Sequence, residues 1–172
     1  MENQQPEFLS LKSDNESLKL DNGTLFYKDV PFYGTLEQYD AVNETENLCE
    51  YVAGKKQGKE TKKYLNDTLA EERFYKKGLK VGVHKGFWKN GALKFEYHYN
   101  EKGVYHGTFK EWYQNGQALK EFNYINGKEN GSQKMWLMNG NIRANYVVKD
   151  GERFGLIGLK KCYTVNVIDE KI

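Results

Sequence analysis

The sequence predicts an all-β protein, an elongated single-layer antiparallel β-meander built from hairpin repeats of about 24 residues. Three observations predict it. The spacing Gly-x-x-x-Gly, or a degraded copy, recurs from Val30, Gly54, Gly78, Gly103, Gly127 and Gly151, in steps of 24, 24, 25, 24 and 24. Midway between these sits a second series of turn signals: Val42-Asn43, Asn66-Asp67, Asn90-Gly91, Asn115-Gly116 and Asn139-Gly140. The composition is ring-rich and proline-poor, with 13 Tyr, 9 Phe and 3 Trp against 2 Pro. Large amphipathic rings suit a half-buried pleated surface better than a thick aliphatic core. A regular array of this kind presents a surface rather than a catalytic pocket.

Taken in order, residues 1–16 read as a flexible polar tail. The first ordered element is a hairpin, Ser17–Leu20 and Thr24–Tyr27 around Asp21-Asn22-Gly23, because Asn and Gly both tolerate the positive φ of a type I′ turn. Pro31 breaks the pattern before Gly34. From Gly34 each unit reads turn, strand, tight turn, strand, most clearly from Gly107 to Tyr124. Strands of six to eight residues without helical periodicity imply a meander. The repeat sheet is expected over 17–165, as the hairpin plus about five units, with a C-terminal tail over 166–172.

Aligning the units on the Asn-Gly turns exposes columns. Three residues before the Asn stand Lys63, Phe87, Trp112 and Trp136; two before it stand Tyr64, Trp88, Tyr113 and Leu137. Later in each unit come Arg73, Tyr97, Phe122 and Tyr146, then Tyr75, Tyr99, Tyr124 and Val148. Alternation along a strand places the first two columns on different faces. Units bury one another's rings, so the end units are expected to be the weakest.

These residues resemble MORN repeats, whose Gly, aromatic strand and following Asn-Gly turn are matched by Gly107, Trp112-Tyr113 and Asn115-Gly116. The run from Gly127 through Trp136 and Tyr146 to Cys162 is similar to the variant repeats of bacterial YwqK-family antitoxins of a Bacteroidota-like branch. The resemblance covers about 22 to 165 and implies a non-catalytic elongated sheet. It also implies a lipoprotein leader, which this sequence does not match, having neither a hydrophobic start nor a lipobox cysteine. Val30 and Asp67, standing where the pattern has Gly, predict looser turns in the first two units.

Charge excludes some partners. Lys+Arg (26) nearly cancels Asp+Glu (24), and a net +2 does not suit nucleic-acid binding. No run approaches the roughly 20 apolar residues of a membrane span, and the polar start carries no export signal. A soluble, cytoplasmic protein is expected from the chain as written, with the cell envelope as the alternative that a lipoprotein leader would bring.

Candidate sites narrow quickly. The glycine turns neither open a helix nor end in Gly-Lys-Ser/Thr, so they are turn chemistry and not a phosphate cradle. Cys49 shares the column of Tyr97, Phe122 and Tyr146 and should be a buried small hydrophobe. Cys162 lies about nine strands later, on the order of 40 Å away at roughly 4.8 Å per strand, too far for a disulfide. It reads as a C-terminal strand residue, with a reactive or pairing thiol as the other reading.

His84 and His106 fall beside glycine turns and His98 faces away from Tyr97, so no metal triad is expected. Glu71-Glu72 reads as solvated surface. With no nucleophile, base and oxyanion donor in view, no enzyme activity, cofactor or small-molecule substrate is expected.

The aromatic columns remain. Most simply they are the sheet's own packing; alternatively one face stays partly exposed and binds a partner. The candidates are Phe87, Trp112 and Trp136 on one face, Trp88 and Tyr113 on the other, and Lys110 and Lys134, with Lys85, as a cationic rim beside the first column. Rings with a cationic rim fit a protein partner, a toxin if the antitoxin resemblance holds. The alternative is an envelope role contacting anionic lipid or glycan.

Overall fold

The computed structural model describes residues 7–158. After β1 (Leu9–Lys12) come β2 (Leu18–Asp21), β3 (Thr24–Tyr27) and β4 (Val30–Pro31), which form a three-stranded sheet of their own. The main sheet continues through β5 (Gly34–Asp40), β6 (Thr45–Val52), β7 (Lys55–Tyr64), β8 (Leu69–Lys76), β9 (Leu79–Lys80) and β10 (Gly82–Phe87). Then follow β11 (Leu93–Tyr99), β12 (Tyr105–Trp112), β13 (Ala118–Ile125), β14 (Lys128–Glu129), β15 (Gly131–Trp136), β16 (Ile142–Lys149) and β17 (Glu152–Leu156). It is an open 14-stranded sheet of consecutive hairpins, with no helix among the described residues.

The predicted architecture is therefore present, with corrections at its start. The stretch expected to be a tail contains β1, which lies parallel to β5, Leu9 opposite Gly34, in a sheet otherwise antiparallel. Its alternating Leu9 and Leu11 give it a face to bury, which the polar residues around it concealed. The hairpin over 18–27 forms as expected, but in the separate small sheet. Residues 159–172, which include Cys162, the end of the expected repeat region and the expected C-terminal tail, lie outside the described residues.

The two glycines of Gly-x-x-x-Gly do different work. The first closes a two-residue turn with the residue before it: Asn126 and Gly127 have φ of 50° and 81°, the type I′ pattern. The second, expected within the turn, instead sits in the strand and breaks its ladder. Gly131 (φ 73°) opens β15 just after the break from β14, as Gly82 (φ 70°) opens β10 just after the break from β9. Such an irregularity bends the strand and frees main-chain groups of its neighbour.

Buried side chains take up the freed groups. Gln133, fully buried, accepts from Asn123 N (3.1 Å) and donates to Asn123 O (2.9 Å). His84 holds the equivalent place two units earlier, its Nε2 3.2 Å from Phe74 N and 2.9 Å from Phe74 O. The reading of His84 as a residue beside a turn is thus corrected: it is 1% exposed.

The 25-residue step from Gly78 to Gly103 has a local cause. Between Tyr99 and Tyr105 the turn holds an extra residue, closed by Asn100 N to Val104 O (3.0 Å) and Gly103 N to Asn100 O (3.0 Å). At the first unit the left-handed pair is Lys28 and Asp29 (φ 49° and 62°), while Val30 belongs to β4; the degraded glycine was Asp29 and not Val30. Nor does Asp67 loosen its turn. With φ 66° it donates to Tyr64 O at 2.8 Å, as Gly91 does to Trp88 O.

One face of the sheet is the core. Phe95, Phe109, Phe122, Ala144, Tyr146 and Val148 are buried on it. Tyr97 is sandwiched there, its ring 4.4 Å from that of Phe95 and 3.8 Å from that of Phe109, both nearly parallel. Cys49, 2% exposed, lies in this layer as its column predicted. The opposite face carries a ladder of alternating charge: Lys85 opposite Glu96, Glu96 opposite Lys110, Lys110 opposite Glu121, Glu121 opposite Lys134.

Candidate partner-binding cleft

From Asn66 onward each Asn turn is built alike, whereas at Val42-Asn43 it is Asp40 that accepts the turn amides. The Asn side-chain oxygen accepts the amide two residues on, from Asn66 to Thr68 N (3.2 Å) through Asn139 to Asn141 N (3.1 Å). This fixes the residues just before the turn, the two ring columns. The strand ladder shifts register there, between Gly86 and Phe87, Glu111 and Trp112, and Met135 and Trp136, so strict alternation of faces stops where the columns stand.

The second column reaches along the sheet to the next unit. Tyr64 Oη donates to Phe87 O (2.9 Å), Trp88 Nε1 to Trp112 O (3.3 Å), and Tyr113 Oη to Trp136 O (3.1 Å). Leu137, the last of that column, has no donor to offer. Trp88 and Tyr113 are therefore joints between units, whatever else their rings touch.

Between the first units this edge opens into a cleft of about 450 Å³. Tyr64, Phe87 and Trp88 supply its rings, Lys62, Lys89 and Lys94 its cations, and Thr45, Glu71 and Gln114 its other polar groups. Val42, 91% exposed, stands at the rim. Lys94 Nζ lies 4.6 Å from the Trp88 ring centroid and Lys89 Nζ 5.8 Å from that of Tyr64, both cation–π geometries. Desolvation raises the Tyr64 hydroxyl above its ordinary value, keeping it a neutral donor.

Charges in the cleft are unequal. Lys89 is bonded to Glu44 at 2.9 Å, and that bond lowers the carboxyl and raises the amine from their usual ranges. Glu71 is held by Arg73 at 2.5 Å. Lys62 and Lys94 form no ion pair among the described residues. Thr45 is 2% exposed and its Oγ1 has no hydrogen-bond partner.

Of the residues proposed from sequence, Phe87 and Trp88 meet in this cleft, while Trp112, Tyr113 and Trp136, all half-buried, continue the edge over the next units. Lys110 and Lys134 belong to the charge ladder instead. Lys110 pairs with Glu121 at 3.8 Å, and Lys134 stands opposite the same Glu121. The cationic rim read beside Phe87, Trp112 and Trp136 is thus balanced by carboxylates on neighbouring strands, which single-strand spacing cannot show.

Sequence reasoning missed Lys62, Lys94 and Thr45. Lys94 left a trace, since its column otherwise holds Ala70, Leu119 and Arg143, but Thr45 left none. Among the described residues no group of three or more His, Cys, Asp or Glu is placed to hold a metal ion. No family model matches the chain, and no curated protein matches it.

Proposed function

We propose that this protein is a non-catalytic repeat scaffold that binds a protein partner through its ring-bearing turn edge, in an antitoxin-like or immunity-like role. The observation that carries the reading is the cleft: aromatic walls, an apolar rim and unpaired lysines on a sheet whose other face is charge-compensated. Interfaces concentrate Trp, Tyr and Phe in such partly desolvated positions. A rigid array orders few side chains on binding, which limits the entropic cost of association. The alternating ladder weighs against the alternative of an anionic lipid surface in the cell envelope, which favours clustered basic residues.

The test is co-purification of partners from the native host with the wild-type chain and with Phe87→Ala, Trp112→Ala and Trp136→Ala combined. These residues offer only main-chain carbonyls to the joints, so their truncation leaves the joints' acceptors in place. Loss of a partner by a variant with wild-type circular dichroism is the expected result. Unchanged recovery would show that this edge is not the interface.

A further inference from the structure

We propose that the cleft at Trp88 recognises a carboxylate: an internal Asp or Glu of the partner, set beside an apolar residue, docks between Lys62 and Lys94 with Thr45 as its hydroxyl donor. The inference rests on the protein-binding reading above and names the chemistry of that partner. Three observations converge on it. Lys62 and Lys94 line one cleft and neither forms an ion pair among the described residues, although Lys62 stands opposite Glu71, which Arg73 engages; Lys56, Lys59, Lys85 and Lys110 are each paired. Thr45 lines the same cleft almost wholly buried, with an unpartnered hydroxyl. A buried hydroxyl without a partner is costly, and an incoming acceptor would relieve that cost.

The third observation is the wall. Trp88 and Tyr64 have their polar atoms occupied by the joints to Trp112 and Phe87, so they present apolar surface to an occupant. That surface fits the aliphatic stem of Glu or a neighbouring apolar side chain. Glu71 also lines the cleft, and its charge, although engaged by Arg73, disfavours a doubly charged phosphate more than a single carboxylate. The occupant is therefore a monoanion attached to apolar surface, which an acidic peptide segment supplies. Charge-assisted hydrogen bonds from lysine and hydroxyl would fix its position.

The experiment is selection of a random peptide library on the immobilised wild-type protein, followed by titration of the enriched peptides into ¹⁵N-labelled protein. The expected peptides carry Asp or Glu beside an apolar residue and shift the Trp88 indole and Thr45 amide signals. Lys62→Gln with Lys94→Gln is expected to weaken them about tenfold, and Thr45→Val, which preserves shape, about threefold. Lys134→Gln, on the charge ladder, is the unaffected control.

Enriched peptides without acidic residues overturn the carboxylate inference, as do acidic ones indifferent to all three cleft substitutions. Either result leaves protein binding standing. Absence of any enrichment on the wild-type chain removes the protein-binding reading as well.

Discussion

At the scale of single residues, the sharpest distinction is between rings that join units and rings that do not. Tyr113→Phe removes one hydroxyl and with it the hydrogen bond to Trp136 O, so it should cost about 1 kcal/mol, read as a lower urea midpoint at unchanged slope. His84 makes a pH-dependent contribution. Burial lowers its pKa, so in mildly acid solution the unfolded chain takes the proton first. Stability is then present above about pH 6.5 and falls as pH drops below it. His84→Gln, copying what Gln133 does two units on, should keep the fold and flatten that acid limb below about pH 6.5. A limb of unchanged steepness would assign it to another group. Cys49 is the third case. Burial pushes its thiol up to about 12, so peptide mapping after native alkylation should find Cys49 unlabelled until denaturant is added.

At the scale of elements, the strand pairs were legible because turn chemistry repeats. Asn-Gly and paired left-handed residues leave few alternatives, and even Asp67 and Asp29 hold the required φ. The second glycine was not legible as a strand irregularity, because a glycine next to a turn looks like part of that turn. For the same reason His84 read as a residue beside a turn and Gln133 drew no reading; their partners, Asn123 and Phe74, become available only once the neighbouring ladder is broken. Gly86 is a different case, extended and without positive φ. A Cβ there would overlap the ring of Phe95, which is itself stacked on Tyr97. Gly86→Ala should therefore destabilise by about 1–3 kcal/mol through overpacking, measured by chemical denaturation; a neutral result would mean the ring layer can shift.

At the scale of the whole molecule, the ring layer is richest from β11 to β13 and thins toward β17, where every residue is exposed. Stability in such an array is close to a sum of units and their interfaces. Amide exchange should therefore be slowest in β12 and β13 and should quicken stepwise toward β17. Uniform protection would instead indicate one cooperative block. The candidate site was only half legible for a related reason. Phe87 and Trp88 announce themselves as a column, but whether a lysine is free depends on strands that the register brings alongside it. Lys110 meets Glu121 across the ladder, and Lys94 lies over the ring of Trp88 with no ion pair among the described residues.

The joints carry one further consequence. Tyr64, Trp88 and Tyr113 each donate to a main-chain carbonyl, that of Phe87, Trp112 or Trp136, and never to a side chain. Every residue has that carbonyl, so the first column is insulated from the fit between units: Phe or Trp can occupy it and the joint forms alike. The array thereby keeps its fastening and its display on adjacent residues but on separate chemistry. New side chains can be tried on the display, one unit at a time, while the fastening stays as it was.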